Sequence, residues 1–393
     1  MKKVVLVRIT TVPISLKTLL KGQLQFMSNN GFEVIAVSSQ GNELRDVAED
    51  ENVQIISMEM TRTISPFKDI RSLWKFYRIC KRLKPDIVHS HTPKAGIIGM
   101  LGAKLARVPL RLHTVAGLPL MEAVGIKRKL LDVVEKLTYL CSTKVYPNSK
   151  GLYDFIVQNR FTKEGKLKVL GNGSSNGINT DFFNPGKINK EEKAKLRNQF
   201  EIGSEDFVFI FVGRIVGDKG INELIFAFKQ LQQNSNTSNN LKLMLVGSLE
   251  SDLDPLFPET LEEIKHNKSI VSVGFQKDVR PYFSIANALV FPSYREGFPN
   301  VVMQAGAMQL PSVVSDINGC NEIIVDKENG IIVPVKDSMA LMNAMHEIAE
   351  NKEYYATLRQ NSRERIISRY EQKVVWEAIL NEYRSMSENK QEN

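Results

Sequence analysis

The chain has 393 residues, of which 42% are hydrophobic and 24% are charged. This length and composition are those of a globular protein with room for two ordinary domains, and they exclude a largely disordered chain. The three cysteines, Cys80, Cys141 and Cys320, are scattered and lack metal-ligand spacing, which favours reduced thiols in the cytoplasm. No uncharged apolar run approaches the roughly 20 residues of a membrane span, and the run at residues 4–7 is too short for a signal peptide. We therefore expect a cytoplasmic protein that does not cross a membrane.

The alternation of apolar and amphipathic runs in the first half is typical of βαβ units and a parallel sheet. Strands are predicted at residues 4–9, 33–38, 53–58, 86–90, 110–115, 144–147 and 167–170. Helices are predicted between them at residues 16–29, 67–83, 95–107 and 127–141. A polar stretch at residues 184–189 breaks the pattern and is the candidate linker. The first doubly wound domain is therefore predicted over residues 1–185.

The same alternation restarts after the linker. Strands are predicted at residues 207–212, 241–246, 270–273, 288–291, 312–315 and 331–333. From residue 338 to about residue 387 the pattern is helical. A second doubly wound domain is therefore predicted over residues 186–371, and a terminal helix follows over residues 372–393.

The net charge of +8 is unevenly distributed. Residues 1–188 hold 29 Lys and Arg against 15 Asp and Glu, a net +14, whereas residues 189–393 hold 23 against 29, a net −6. A basic first half predicts an anionic partner. Nucleic acid is disfavoured because aromatic residues are not interleaved with the basic ones as stacking platforms. An anionic membrane surface fits better, because Lys and Arg near it gain about 1 kcal/mol each. A basic surface that is merely solvated is the open alternative.

One segment of the first half is suited to such a surface. Residues 126–134 join the cations Lys127, Arg128 and Lys129 to apolar residues at helical spacing. A helix of this kind can lay its apolar side at the lipid boundary while its cations meet anionic headgroups. Packing of the same apolar residues onto the first sheet is the alternative.

Two loops of the second half carry residues suited to a nucleotide sugar. Arg214 and Lys219 lie five residues apart in a Gly-rich turn, where glycine lets the backbone approach a diphosphate and the cations neutralise its charge. Glu296 lies between a strand and a helix, the place where ligands bind in open α/β sheets and where free N–H groups favour phosphate. A carboxylate beside a phosphate is best explained if it holds a neutral group, such as the hydroxyls of a sugar. Taken alone, the two cations would more often be merely solvated.

These residues carry a resemblance to a known family. The stretch 293–308 resembles the Glu-x7-Glu element of the retaining glycosyltransferases of family four, and residues 213–220 are similar to that family's Gly-Arg-x4-Lys-Gly element. The resemblance implies an α/β GT-B fold, in which two Rossmann-like domains face each other across a cleft and the last helix crosses back to the first domain. An ordinary terminal helix on the second domain is the alternative. The donor-binding residues that it implies are Gly213, Gly297, Phe298, Pro299, Asn300, Val301 and Gln304.

The chain departs from the family at Gln304, where relatives have the second Glu. Glutamine can still hydrogen-bond a ribose hydroxyl, but it carries no charge. For catalysis, departure of a diphosphate places negative charge on the phosphate, and preorganised cations stabilise it. We therefore predict Arg214 and Lys219 as the main catalytic residues, together with Glu296 and His113, and assign no protein nucleophile.

Polar residues of the first half lie at the predicted carboxyl ends of strands. His113 occupies the place where related enzymes have a His that faces the donor sugar, and a structural histidine is the alternative. His89 and His91 would point the same way, but two ligands without an acidic third are weak support for a metal, so neither a metal nor a cofactor is predicted. The predicted acceptor-side residues are Thr11, Ser15, His91, Lys94 and Thr114.

Together these features predict a retaining glycosyltransferase that moves a sugar from a nucleotide donor, UDP-linked, to a growing glycan. Residues 91–94 and 113–118 resemble enzymes that build bacterial capsule or O-antigen repeat units on polyprenyl diphosphate. The expected partners are thus a nucleotide sugar, a lipid-linked acceptor and the inner face of the cell membrane. Two alternatives remain: a sugar-nucleotide epimerase of the same fold, and a catalytically silent nucleotide-sugar binding protein.

Overall fold

A computed structural model describes residues 3–391 apart from residues 62, 64, 122, 234–239, 251 and 253. The chain divides into two compact units: one comprises the residues up to Gly177 together with those from Lys373 onward, and the other comprises Ile178–Gln372. Each unit is built around its own six-stranded parallel sheet. The prediction of two doubly wound α/β units is confirmed. Within the described residues, no helix combines the length and the apolar character that crossing a bilayer requires.

The division after Gly177 precedes the boundary drawn at residue 185 from the polar stretch. The backbone N–H of Ile178 donates to the carbonyl of Tyr370 (2.8 Å), and its own carbonyl accepts from Gln372 (3.1 Å). The N–H of Thr180 donates to the carboxylate of Glu371 (3.0 Å). These bonds attach residues 178–180 to the end of the second unit before the polar stretch begins.

The first sheet has the strand order β3-β2-β1-β4-β5-β6. Its strands are β1 (Val4–Ile9), β2 (Phe32–Ser38), β3 (Gln54–Ser57), β4 (Ile87–Ser90), β5 (Leu110–Val115) and β6 (Lys144–Pro147). Ile9 lies opposite Ser90, and Ser90 lies opposite His113. This register brings the carboxyl ends of β1, β4 and β5 to one edge, beside the point where the strand order reverses, which is where open α/β sheets bind ligands.

Helices cover both faces of this sheet. They are α1 (Pro13–Leu19), α2 (Gln23–Asn29), α3 (Glu43–Glu51), α4 (Pro66–Leu83), α5 (Pro93–Leu105), α6 (Gly125–Cys141) and α7 (Lys150–Gln158), with α16 (Gln372–Gln391) from the end of the chain. In one layer, α5 packs between α4 and α6. On the other face, Val375, Ile379 and Tyr383 of α16 share a core cluster with Leu16 and Leu24.

Two predicted elements of the first unit differ in the structure. The helix predicted over residues 16–29 is divided into α1 and α2, because Gly22 adopts φ +78° where a Cβ would lie only 2.6 Å from the ring of Trp376. The strand predicted over residues 167–170 is reduced to one bridge between Val145 and Leu167. A 3-10 turn ends immediately before Leu167 and a turn at Gly171 (φ +56°) follows, so too few residues remain extended for a ladder.

The second sheet has the strand order β12-β11-β10-β7-β8-β9. Its strands are β7 (Phe207–Val212), β8 (Leu241–Val246), β9 (Ile270–Ser272), β10 (Ala288–Phe291), β11 (Ser312–Ser315) and β12 (Gly330–Val333). Its helices are α8 (Lys190–Gln199), α9 (Ile221–Gln233), α10 (Pro258–His266), α11 (Arg280–Ile285), α12 (Asn300–Ala307), α13 (Cys320–Ile323), α14 (Ser338–Glu350) and α15 (Lys352–Tyr370). The central neighbours β7 and β10 are parallel, so their carboxyl ends open at the same edge. The loops that follow these two strands carry the predicted donor site.

Candidate active site

Glycine residues shape the loop that follows β7. A Cβ at Gly247, directly after β8, would overlap the carbonyl oxygen of Gly213. A 3-10 turn over Gly217–Lys219 follows, and Gly220 then adopts φ +71°. A Cβ at Gly220 would overlap the carbonyl oxygen of Pro292, directly after β10. The glycines therefore allow the β7 loop to lie against the β10 loop.

This approach brings Lys219 and Glu296 together, although 77 residues separate them. Lys219 Nζ lies 2.5 Å from Glu296 Oε1. Ser293 Oγ lies 3.5 Å from the same nitrogen and 3.2 Å from the same oxygen. Ser293 is buried, whereas the side chains of Lys219 and Glu296 are 16% and 19% exposed. The ion pair is thus held in place by the fold, and both of its members remain accessible to a ligand.

Arg214 makes its own ion pair nearby. Its Nη1 lies 3.3 Å from Glu250 Oε2, and its side chain is 46% exposed. It lines a cavity of about 450 Å³ together with Asp218, Asp254 and Arg295. Arg295 pairs with Asp218 at 2.8 Å, and the N–H of Asp218 donates to Asp254 at 2.5 Å. The structure therefore places Arg214 in a wall of alternating charges that the sequence alone did not indicate.

The segment from Glu296 to Asn300 is held by the loop that follows β11. Asn318 Nδ2 donates to the carbonyl of Glu296 (3.2 Å) and to that of Gly297 (2.5 Å). Gly319 adopts φ +77°, and a Cβ there would lie 2.6 Å from the Gly297 carbonyl oxygen. Sequence reasoning missed Asn318 and Gly319. The available signal was an Asn-Gly pair shortly after a predicted strand, at the edge where ligands bind.

The other predicted donor residues divide between the core and α12. Phe298 is buried, and its ring centroid lies 5.5 Å from that of Tyr370. Pro299 is buried directly before α12, so these two residues can offer a ligand only their backbone. Asn300 is exposed at the start of α12, and Val301 and Gln304 are partly buried within it.

His113 lies within the core of the first unit. Its Nδ1 lies 2.8 Å from Ser90 Oγ, and a Cβ at Gly96 of α5 would lie 2.7 Å from its Cε1. Burial lowers the pKa of His113 to about 4, so the ring is neutral near pH 7. These are the contacts of a packed histidine, and its predicted role toward the donor sugar stays a prediction.

Two further histidines, His89 and His91, lie close together near the carboxyl ends of β4 and β5. His89 Nε2 lies 2.7 Å from Thr114 Oγ1, and its Nδ1 lies 2.5 Å from the Tyr383 hydroxyl. The His91 ring centroid lies 4.2 Å from that of His89. His91 is buried, and neither ring nitrogen has a hydrogen-bond partner among the described residues. Nowhere in the described part of the chain do three His, Cys, Asp or Glu side chains group as metal ligands.

The remaining acceptor-side residues lie along the same edge and contact their neighbours. Thr11 Oγ1 lies 2.7 Å from Thr92 Oγ1 and accepts from the N–H of Ala95 (3.3 Å), so Thr11 caps the start of α5. Lys94 Nζ pairs with Asp69 at 2.7 Å. Ser15 lies partly exposed in the first turn of α1. The structure thus places all five predicted residues near one edge of the first sheet.

Comparison with known proteins adds the family. Residues 192–365 match the model of glycosyl transferases group 1, and residues 23–173 match that of the glycosyl transferase 4-like domain. Over 371 residues the chain is 34% identical to the capsular polysaccharide biosynthesis glycosyltransferase CapM of Staphylococcus aureus, a match that covers 93% of each chain. The chain belongs to the group 1 glycosyltransferases. The family predicted from residues 213–220 and 293–308 is confirmed.

Two further matches cover most of this glycosyltransferase. It is 27% identical over 354 residues to the UDP-Gal:alpha-D-GlcNAc-diphosphoundecaprenol alpha-1,3-galactosyltransferase of Escherichia coli, covering 88% of this chain and 87% of that one. The solved glycosyltransferase from Rickettsia africae ESF-5 superimposes with a TM-score of 0.81 at 18% identity, covering 99% and 100% of the two chains. The structural likeness concerns the fold, and it confirms the predicted GT-B fold class.

Sequence reasoning also missed a buried cation of the glycosyltransferase. Arg8 is fully buried in β1, where its Nη1 donates to the Tyr383 hydroxyl (2.6 Å) and its Nη2 donates to Gln23. Among the described residues, no carboxylate forms an ion pair with Arg8. The available signal was an arginine within an otherwise apolar strand, since a buried charge requires polar partners.

The buried histidines of the glycosyltransferase predict acid sensitivity of its first unit. Burial holds the pKa values of His89, His91 and His113 below the usual value. As the pH falls below about 6.5, the unfolded chain therefore binds protons that the folded unit does not, and stability falls. For His113, whose folded pKa is about 4, the loss should reach about 2 kcal/mol at pH 5. Hydrogen exchange of peptides from β4 and β5, followed between pH 7.5 and pH 5, measures this loss of unfolding free energy.

A substitution isolates the contribution of His113 to the pH dependence of stability. The conservative variant His113→Asn should flatten the pH dependence of protection in β5, because it removes the group whose protonation is resisted. The matched control is His266→Gln, since the His266 side chain is 66% exposed in the second unit. Equal pH dependence in the wild type and in His113→Asn would contradict the assignment.

Proposed function

We propose that this glycosyltransferase moves a sugar from a UDP-linked donor to a polyprenyl-diphosphate-linked glycan in bacterial surface polysaccharide synthesis, with retention of anomeric configuration. The observation that carries the proposal is the Lys219–Glu296 pair beside Ser293, at the carboxyl ends of β7 and β10. A cation and a carboxylate side by side suit a ligand in which a diphosphate adjoins a neutral sugar. The E. coli relative, which is named for a UDP-sugar donor and a diphosphoundecaprenol acceptor, supports the same substrate classes.

The chemistry assigns a role to each group. The bond between the anomeric carbon and the diphosphate oxygen breaks, and UDP departs with the electron pair. An acceptor hydroxyl oxygen bonds to that carbon from the face that UDP leaves, and its proton passes to an oxygen of the departing diphosphate. Lys219 and Arg214, with the N–H groups at the start of α12, stabilise the charge that develops on the diphosphate. Glu296 accepts hydrogen bonds from sugar hydroxyls. In this proposal no metal is required, because the two cations and the helix start neutralise the leaving group.

The proposal extends to where the enzyme acts. A polyprenyl-linked acceptor stays in the bilayer, so the enzyme must come to the membrane surface. The net charge of +14 over residues 1–188 favours an anionic surface as the partner of the first unit. We therefore propose peripheral association with the inner face of the cell membrane.

The test offers the purified enzyme a panel of nucleotide sugars with a polyprenyl-diphosphate-linked sugar, and follows products by mass spectrometry with and without EDTA. We expect transfer from one UDP-sugar, unchanged by EDTA, and an anomeric NMR signal that matches the configuration of the donor. Inversion of that signal would contradict retention. Interconversion of donor without acceptor would instead identify an epimerase, and binding without turnover would identify a silent binding protein.

Gln304 provides a prediction of modest size. If Gln304 hydrogen-bonds the ribose, Gln304→Ala should weaken donor binding by about 0.5–1.5 kcal/mol, or twofold to tenfold, while Gln304→Glu should be tolerated. Titration calorimetry with the donor or with UDP measures both variants. Donor affinity unchanged in both would show that Gln304 is only a helix-surface residue.

A further inference from the structure

The outward face of α6 in the first unit is apolar along its whole length. Ile126, Leu130, Val133, Leu137 and Leu140 are spaced by four, three, four and three residues, which places them on one side of the helix. They are 88%, 45%, 61%, 38% and 63% exposed, respectively. A stripe of five large apolar side chains in water is unusual for a soluble surface and marks an interaction site.

The helix α4 carries a second apolar stripe in the same layer. Phe67, Ile70 and Trp74 are spaced by three and four residues and are 90%, 55% and 57% exposed. Because α5 packs against both α4 and α6, the two stripes belong to one side of the first sheet. We call these eight side chains the docking face: Phe67, Ile70, Trp74, Ile126, Leu130, Val133, Leu137 and Leu140.

Positive charge flanks the docking face, and the carboxylates of both helices are already engaged. Of those carboxylates, Asp69 pairs with Lys94, Asp132 pairs with Arg128, and Glu135 is buried. The exposed cations beside the stripes are Lys68, Arg71, Arg78, Lys81 and Arg82 on α4, and Lys127, Lys129 and Lys136 on α6. Apolar stripes bordered by lysine and arginine complement the acyl boundary and headgroups of an anionic bilayer.

The topology of the sheet determines which end of the docking face lies at the carboxyl edge of the first sheet. In a parallel sheet each helix starts where the preceding strand ends, so α4 and α6 start at the edge that carries Thr11, His91 and Thr114. The two most exposed side chains of the docking face, Phe67 and Ile126, lie in the first turns of these helices. The apolar surface is therefore most accessible at this edge of the first sheet.

We propose that α4 and α6 form a two-helix membrane anchor whose N-terminal ends enter the headgroup boundary of an anionic bilayer first. The side chains of Phe67 and Ile126 insert first, and the cations on both helices contact lipid headgroups. The anchor holds the carboxyl edge of the first sheet at the bilayer surface, where a lipid-linked sugar is presented. Only the identity of that acceptor rests on the function proposed above, because the docking requires neither donor nor acceptor.

Co-sedimentation of the full chain with vesicles of phosphatidylcholine and about 30% phosphatidylglycerol tests the anchor. We expect binding that weakens with salt and with Lys127→Glu/Lys129→Glu. The pair Phe67→Ser/Ile126→Ser should reduce the partition coefficient at least about tenfold, because both side chains lose their burial in lipid. The matched control Phe226→Ser/Phe257→Ser, on exposed aromatics of the second unit, should leave it unchanged.

A second comparison tests the direction. Leu140→Ser lies on the same face of α6 at its opposite end, and it should reduce binding less than Ile126→Ser does. Equal losses would overturn the N-terminal orientation. Absence of binding at low salt, or a homodimer that covers the docking face and ignores vesicles, would overturn the anchor itself. Vesicle binding without sugar transfer to any acceptor would instead contradict the proposed function and leave the anchor standing.

Discussion

Replacing Lys219 or Glu296 by alanine is expected to lower sugar transfer by tenfold to more than a hundredfold while the fold persists. In the proposed function each variant removes a charge-assisted contact, that of Lys219 to the diphosphate or that of Glu296 to the sugar, and such contacts contribute about 1.5–3 kcal/mol. Both side chains lie at the edge of the second sheet and are partly exposed, so neither supports the core. Steady-state kinetics with the donor identified by the panel measures the loss, and circular dichroism checks the fold.

The second unit offers a matched control for this ion pair. Lys229 and Glu263 pair at 2.6 Å on its surface, where the side chain of Lys229 is 48% exposed. Lys229→Ala and Glu263→Ala remove the same charges away from β7 and β10, and turnover should stay within about twofold, because exposed ion pairs contribute at most about 1 kcal/mol to stability. Full turnover in Lys219→Ala and Glu296→Ala alike would show that the reaction takes place elsewhere.

Gly220→Ala should be damaging although it adds a single methyl group. The residue adopts φ +71°, which costs alanine free energy, and the added Cβ would overlap the Pro292 carbonyl oxygen. The β7 loop would have to withdraw from β10, which would separate Lys219 from Glu296. We expect a loss of about 2–4 kcal/mol in the unfolding free energy of the second unit and at least tenfold in turnover.

Gly274→Ala separates the cost of the positive φ from the cost of the steric overlap. Gly274 also has a positive φ, +76°, but a Cβ there would meet nothing within 4 Å. In a thermal or urea unfolding experiment, this variant should therefore lower the free energy of unfolding by only about 1 kcal/mol, the cost of placing alanine at a positive φ. If Gly220→Ala were no more destabilised than Gly274→Ala, the proposed contact between the two loops would be wrong.

The strands and the donor loops were predictable from the sequence because their signals are local. The runs at residues 207–212 and 288–291 are continuous and apolar, as buried parallel strands require, and their bounds agree with β7 and β10. The residues that follow such strands in an open sheet converge at one edge, so Lys219 and Glu296 could be placed together without a structure. The resemblance to a known family supplied their roles.

The features that could not be predicted from the sequence depend on contacts between distant segments of the chain. The division of α1 from α2 requires Trp376, and the partners of Arg8 include Tyr383, both from α16. The outward direction of Leu130 and Leu137 was equally hidden, because a 3.6-residue period identifies an apolar face without saying what covers it. Here the core of the first unit is filled by other residues of α6, such as Tyr139.

The return of α16 to the first unit has a consequence for synthesis. Arg8 and its hydrogen-bond partner Tyr383 are 375 residues apart, whereas every residue of the second unit lies between Ile178 and Gln372. At translation rates of about 5–20 residues per second, Arg8 waits roughly 20–75 s for that partner. The unit that leaves the ribosome first is therefore completed last, and until then Val375, Ile379 and Tyr383 are missing from its core. Ribosomes that stall before α16 would release a chain whose second unit is whole while its first unit still exposes apolar surface to chaperones and proteases.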